Sequence, residues 1–109
     1  MRNVTVKYRS DRDEVDFAPD NGKLVMTARD SITFKKGGSV DFDFASFSLY
    51  PEDLSQFPRT VLPDHIDVED RFTDKQETSY KYTVVIKLRD GSSRVGDPQI
   101  INKPSGVTT

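Results

Sequence analysis

The chain has 109 residues, 34% of them apolar and 31% charged, with a formal net charge of only −2. At this length one domain with a single core is expected, and the interleaving of both charge signs excludes the clustered basic footprint of a nucleic-acid binder. The absence of cysteine removes disulfides, thiolate metal sites and cysteine nucleophiles together. Apolar runs such as Val84 to Ile86 are too short to span a membrane.

Alternation with period two dominates from the first residues. Val4, Val6 and Tyr8 alternate with Thr5 and Lys7, which places a strand over residues 3–9. "MRNVTVKY" lacks the apolar core and small-residue cleavage site of a signal peptide, so the cytoplasm is the default expectation. "EVDFAP" is a short strand with Val15 and Phe17 on one face. Asn21-Gly22 tolerates the positive φ angles of a type I′ hairpin, so "DNG" reads as a hairpin turn. Leu24, Met26 and Ala28 mark a third strand; Ile32 and Phe34 mark a fourth, ended by a hairpin turn at Lys35–Gly38. "KKGG" is not followed by a helix or a phosphate-loop Lys-Ser/Thr, so it is no P-loop.

"SVDFDFASFSLY" carries Val40, Phe42 and Phe44 at even positions, then Phe47 and Leu49 at odd ones. The phase flips at Ala45-Ser46, which predicts a β-bulge or a change of sheet. From Tyr50 to Asp64 the alternation stops, and Pro51, Pro58 and Pro63 punctuate a long connection. "PEDL" fits one short helical turn. "HIDVEDRF" then points Ile66 and Val68 inward, with Phe72 joining them. After the polar turn "TDKQET", Tyr80, Tyr82, Val84, Ile86 and Leu88 alternate along one long strand. Asp90-Gly91 supplies a turn, and Ile100 and Ile101 anchor the last strand. Pro98 has no N–H to donate, so it belongs at a strand start or an edge.

About seven to nine strands at this spacing of turns indicate an all-β, antiparallel β-sandwich with one long capping loop. The domain is expected over residues 1–104, with a flexible tail over 105–109.

The closing stretch "YKYTVVIKLRDGSSRVGDPQIINKP" pairs a Tyr-rich strand with an Asp-Pro-x-Ile strand and a terminal Pro. Over about a quarter of the chain it resembles the small bacterial family called DP-EP. In outline it is also similar to immunoglobulin-like and cupredoxin-like sandwiches. The resemblance implies a compact antiparallel sandwich and supplies no catalytic residue. A blue-copper site needs a cysteine thiolate and two histidines; this chain has no cysteine and only His65, so a cupredoxin-like version would be copper-free.

His65, Asp67 and Glu69 share one face of a strand, opposite Ile66 and Val68. Such a face could hold a divalent ion or a sugar; it is also the ordinary solvent face of a half-buried strand. Asp11, Asp13, Glu14 and Asp16 have an Asp-x-Asp spacing like that of calcium loops but no completing glycine and distal glutamate. Asp41 and Asp43 likewise fit a solvated strand face. A serine triad has no Gly-x-Ser-x-Gly elbow and a single histidine to draw on, so neither an enzyme nor a cofactor is expected. The long connection holds Leu54, Phe57, Val61 and Leu62. Apolar loop residues need a cover, so they either cap the sandwich or, through Phe57, Val61 and Leu62, contact another protein or another copy of the chain. Exposed sheet edges offer a second route to a partner. A non-enzymatic protein-interaction module is the expectation from these residues, with a metal- or carbohydrate-binding module using acidic surface residues as the alternative.

Overall fold

Among the described residues the alternation becomes ten strands: β1 (Arg2–Arg9), β2 (Glu14–Ala18), β3 (Leu24–Met26), β4 (Asp30–Lys36), β5 (Phe42–Tyr50), β6 (Arg59–Val61), β7 (His65–Asp70), β8 (Thr78–Leu88), β9 (Ser93–Gly96) and β10 (Gln99–Asn102). The computed structural model describes residues 1–104; the tail expected over 105–109 lies outside them. The strands form two stacked sheets. The first has the order β2-β1-β4-β7-β6 and the second β3-β10-β8-β5. Long β8 is central, as its unbroken alternation predicts. One of its edges carries β5, and the other is shared by β10 along Thr78–Lys81 and β9 along Val84–Lys87. Pro98 lies at the junction of β9 and β10, where its carbonyl accepts the Tyr82 N–H at 2.9 Å.

The sandwich is all-β, but its sheets are mixed rather than antiparallel throughout. β1 runs parallel to β4 (Val4↔Phe34), and β3 runs parallel to β10 (Ile100↔Leu24). Parallel neighbours need a crossover, and the chain supplies one by changing sheets. "DNG" is therefore not a hairpin. Asp20–Gly22 forms a 3₁₀ turn that carries the chain from β2 in one sheet to β3 in the other. Asn21 and Gly22 do take positive φ there, +55° and +82°. Lys35–Gly38 similarly leads from β4 in the first sheet to β5 in the second. The phase flip in β5 is a bulge between Phe44 and Ser46, and the strand stays in its sheet.

One phase of each strand builds the core. Val4, Val6, Ile32, Phe34, Ile66 and Val68 face Leu24, Met26, Phe42, Phe44, Phe47, Leu49, Tyr80, Tyr82, Val84, Ile86 and Ile100, all buried. Tyr82 stands at the centre, with the rings of Phe34, Phe47 and Phe17 at 5.3, 5.6 and 6.0 Å. Its hydroxyl donates to the Gly22 carbonyl at 2.6 Å, which ties the 3₁₀ turn to the core. The connection after β5 caps one end. A single turn closed by Phe57 N–H to Asp53 C=O at 2.9 Å presents Phe57 to Tyr80, ring to ring at 4.9 Å.

Candidate functional site

Two outer faces remain once the core is filled, and they differ in chemistry. On the first sheet β7 presents His65, Asp67 and Glu69 outward, as its alternation predicts, beside Thr33 and Lys35 of β4 and Asn3 and Thr5 of β1. Each member of the predicted ligand face already has a protein partner. The His65 imidazole meets Asp64 through Nδ1 at 2.8 Å and Asp67 through Nε2 at 3.2 Å. Asp67 accepts the Thr33 hydroxyl at 2.9 Å, and Glu69 pairs with Arg29 and Arg71. Among the described residues no group of three His, Cys, Asp or Glu is placed to hold a metal ion. What this face does have is an open groove of about 810 Å³ lined by Thr33, Thr60, Asp67, Glu69, Arg29 and Arg71, among others.

The Asp64 contact, reinforced by Asp67, raises the His65 pKa above its ordinary value against a smaller opposing effect of desolvation. The stability it adds is present below the unfolded value of about 6.5 and is lost as pH rises through the folded one. An NMR titration of the imidazole is expected to give a midpoint above that of a free histidine, and Asp64→Asn is expected to bring it back down. A wild-type midpoint at or below the free value would refute the pairing.

The other acidic segments are likewise neutralised. Arg9 bridges Asp11 and Asp16 at 3.1 and 3.4 Å, and Arg94 of β9 reaches Asp13 at 2.6 Å. Asp41 is held by Arg89 and Lys36, which bring its carboxyl down to about 2; the same two side chains reach Asp43 at 3.3 and 3.8 Å.

The connection from Tyr50 to Asp64 does not bring its predicted contact residues together on the surface. Phe57 is fully buried and belongs to the core, because the 53–57 turn drives its ring onto Tyr80. Val61 is half-buried against the same core, and of the three only Leu62 is exposed. The edges of the second sheet are guarded. On β5 the Arg59 guanidinium donates to Phe47 C=O at 3.2 Å, Phe44 N–H reaches Pro63 C=O at 2.9 Å, and Glu52 accepts Leu49 N–H at 3.2 Å. On β3 the Arg2 guanidinium donates to Val25 C=O at 3.0 Å. Charged side chains on edge backbone block strand addition there.

The outer face of the second sheet is the surface that sequence reasoning missed. Register places Val25 of β3 beside Ile101 of β10, and Val85 of β8 beside Val95 of β9. Tyr50 of β5 stands opposite Lys81 of β8. Between them lie the small side chains of Ser46, Ser48, Ser79 and Thr83, together with Lys81, which pairs with Asp97 at 3.1 Å. Val25, Val95 and Tyr50 are 41%, 58% and 78% exposed; Val85 and Ile101 are half-buried. Charge is confined to Lys81, Lys87 and Asp43 among the strand residues of this face. Singly, exposed valines are ordinary; here apolar side chains stand on all five strands of one face, in two groups, Val25 with Ile101 and Val85 with Val95, on either side of Lys81 and Thr83, without a cover among the described residues.

A scan against protein-family models and a search of curated proteins found no match to this chain.

Proposed function

We propose that the chain is a non-enzymatic protein-interaction module that docks a partner protein, or a second copy of itself, on the outer face of its second sheet. The observation that carries this reading is the contrast between the two faces. Every charged group of the predicted ligand face on the first sheet is paired internally, whereas the other face presents Val25, Tyr50, Val85, Val95 and Ile101 among Ser and Thr, with Lys81, Lys87 and Asp43 as its charged strand residues. Aromatic and apolar side chains with few charges are the composition of an interface centre. The mixed sheets favour the cupredoxin-like alternative over the immunoglobulin-like one, whose sheets are antiparallel.

Photo-crosslinking tests the reading. A photoreactive phenylalanine replacing Val95 or Val85 is expected to give one discrete adduct in cells, and the same residue replacing Thr33 or Asp67 none. Val95→Arg is expected to weaken the partner so identified at least about tenfold while leaving stability within about 0.5 kcal/mol, as for other surface substitutions. Adducts from the polar face alone, or from neither face, would refute it. In the second case light scattering must also show a monomer.

The groove on the first sheet supports a carbohydrate-binding alternative. Its hydroxyl, carboxylate and guanidinium groups suit a polyhydroxyl ligand, and calorimetry with a sugar panel distinguishes it by heats above dilution.

A further inference from the structure

A polar cluster is sealed into the capped end of the sandwich. Gln56, Asp70 and Asn102 are fully buried, each 0% exposed. Asp53 comes from the 53–57 turn, Asp74 from the segment after β7, and Tyr80 from β8. The Gln56 amide nitrogen lies 3.1 Å from Asp53 Oδ2, 3.1 Å from Asp74 Oδ2 and 2.9 Å from the Tyr80 oxygen. The Asn102 amide nitrogen lies 3.1 Å from Gln56 Oε1, 3.1 Å from Asp70 Oδ1 and 3.0 Å from Asp74 Oδ2. Each NH₂ group has two hydrogens and three oxygen neighbours. Two further oxygens, Asp70 Oδ2 and Asn102 Oδ1, are buried with no partner at all. The cluster is therefore short of hydrogens, and an unmet buried acceptor is destabilising.

No cation relieves the shortage. The ion pairs among the described residues leave out Asp53, Asp70 and Asp74. Opposite Asp70 on β4 stands Asp30, whose carboxylate is held by the Met1 amine at 2.8 Å. On its own strand Glu69 pairs with Arg29 and with Arg71, which directly follows Asp70; the Arg71 guanidinium also donates to Ser55 C=O. The group facing Asp70 from β10 is the neutral Asn102, and the charge that acts on it is that of the acid Asp74.

We infer that in acid Asp70 carries a proton on Oδ2, which donates to Asn102 Oδ1 and completes a reciprocal acid–amide pair, so that the capped end is an acid-favoured latch. One proton satisfies both orphan oxygens, and the Asn102 N–H to Asp70 Oδ1 bond is the other half of the pair. Asp70 Oδ1 also accepts Phe72 N–H at 2.9 Å and so holds Phe72 at φ +57°, a conformation a bulky side chain rarely adopts. Gln56 Oε1 anchors the next two amides, Thr73 at 2.7 Å and Asp74 at 3.1 Å. Ionising Asp70 keeps the Phe72 N–H bond but takes the only donor away from Asn102 Oδ1 and sets two bare oxygens against each other, which loosens Asn102 and, through its amide, Gln56 Oε1 and Asp74 Oδ2. Burial pushes its carboxyl up to about 6, with the negative Asp74 adding to the rise and the Phe72 and Asn102 N–H groups opposing it.

A ¹³C NMR titration of the full chain tests this directly. The Asp70 carboxyl is expected to titrate near pH 6, with the Thr73 and Asp74 amide shifts following the same midpoint. A midpoint in the ordinary carboxylate range, near 4, overturns the inference. Because the folded value lies above the unfolded one, stability from this group is full below about pH 4 and is lost as pH rises through about 6. The folding constant is expected to fall roughly a hundredfold on this account. Asp70→Asn carries its own hydrogens at that position, and its stability is expected to lack this loss; equal pH slopes for the two proteins overturn the proposal. So would stabilisation of the wild type by calcium at neutral pH that Asp70→Asn abolishes, since it would assign the site to a metal.

Discussion

Tyr82→Ala is expected to lose about 4 kcal/mol, the usual cost of removing a large buried aromatic side chain, which is a large share of the typical domain stability of about 5–15 kcal/mol. Tyr82 is fully buried and touches the rings of Phe17, Phe34 and Phe47, which belong to three strands in two sheets. Truncation therefore leaves a cavity that no single strand can shift to fill. Tyr82→Phe separates packing from hydrogen bonding. It keeps the ring but strands the Gly22 carbonyl, which accepts the Tyr82 hydroxyl inside the core, and is expected to cost about 1–3 kcal/mol. Urea melts followed by circular dichroism measure both. An alanine variant within about 1 kcal/mol of wild type would mean that the two sheets do not stack through this ring. The site is crowded as well as central. A Cβ on Gly22 would stand 2.6 Å from the Tyr82 hydroxyl and 2.7 Å from Phe17 Cβ, at a φ of +82° that other side chains rarely adopt.

Arg59→Met is expected to cost about 2–3 kcal/mol and to make the protein associate with itself. The Arg59 side chain is only 9% exposed and pairs with Glu52 at 2.6 Å. It also donates to Phe47 and Phe57 carbonyls at 3.2 and 3.1 Å and lies over the Phe47 ring at 5.1 Å. Methionine fills much of the volume but donates nothing, so two carbonyls and one carboxylate lose charge-assisted bonds; the carbonyl bonds are only partly buried and the Glu52 pair is exposed, so together they are expected to be worth about 2–3 kcal/mol, well under three fully buried bonds. The opened β5 edge then offers unpaired backbone to a second chain. Burial pulls the Glu52 carboxyl upward, but Arg59 and the Leu49 and Asp53 amides together hold it below its ordinary value. That contribution is present above the unfolded value of about 4.3 and fades as pH falls through the folded one, so the gap between variant and wild type should narrow in acid. Chemical denaturation at two pH values and light scattering check both parts. A variant that is as stable as wild type and monomeric would refute the edge-guard role.

Alternation carried most of the fold. The inward residues of β1, β4, β7 and β8 follow it without exception, and the β5 bulge appears as a slip of phase before any coordinate is known. The pairing partners do not appear there. A glycine in "DNG" or "KKGG" permits a tight turn within one sheet or a passage between two, because both need the same backbone freedom. The sheet change that makes β1 parallel to β4 was therefore hidden. The buried cluster left a fainter trace: Asp70 continues the inward series of Ile66 and Val68, and Asn102 that of Ile100. A polar residue in an inward phase is a signal, but nothing in the spacing joins those two to Gln56. Phe57 misled in the opposite direction, since an apolar residue among prolines on a connection looks available until the turn beneath it is seen.

The parallel pairing of β3 with β10 has a consequence for the chain's birth. β3 borders only β10 in its sheet, and β10 is the last strand of the ten. During translation β1, β2, β4 and β7 can zip together early, while Leu24 and Met26 wait for Ile100 and Asn102 to leave the ribosome. Contacts so distant along the polypeptide form slowly. For that interval the Leu24 and Met26 side chains lack their closing strand, and transiently exposed apolar surface of this kind is what makes incompletely folded chains prone to aggregate.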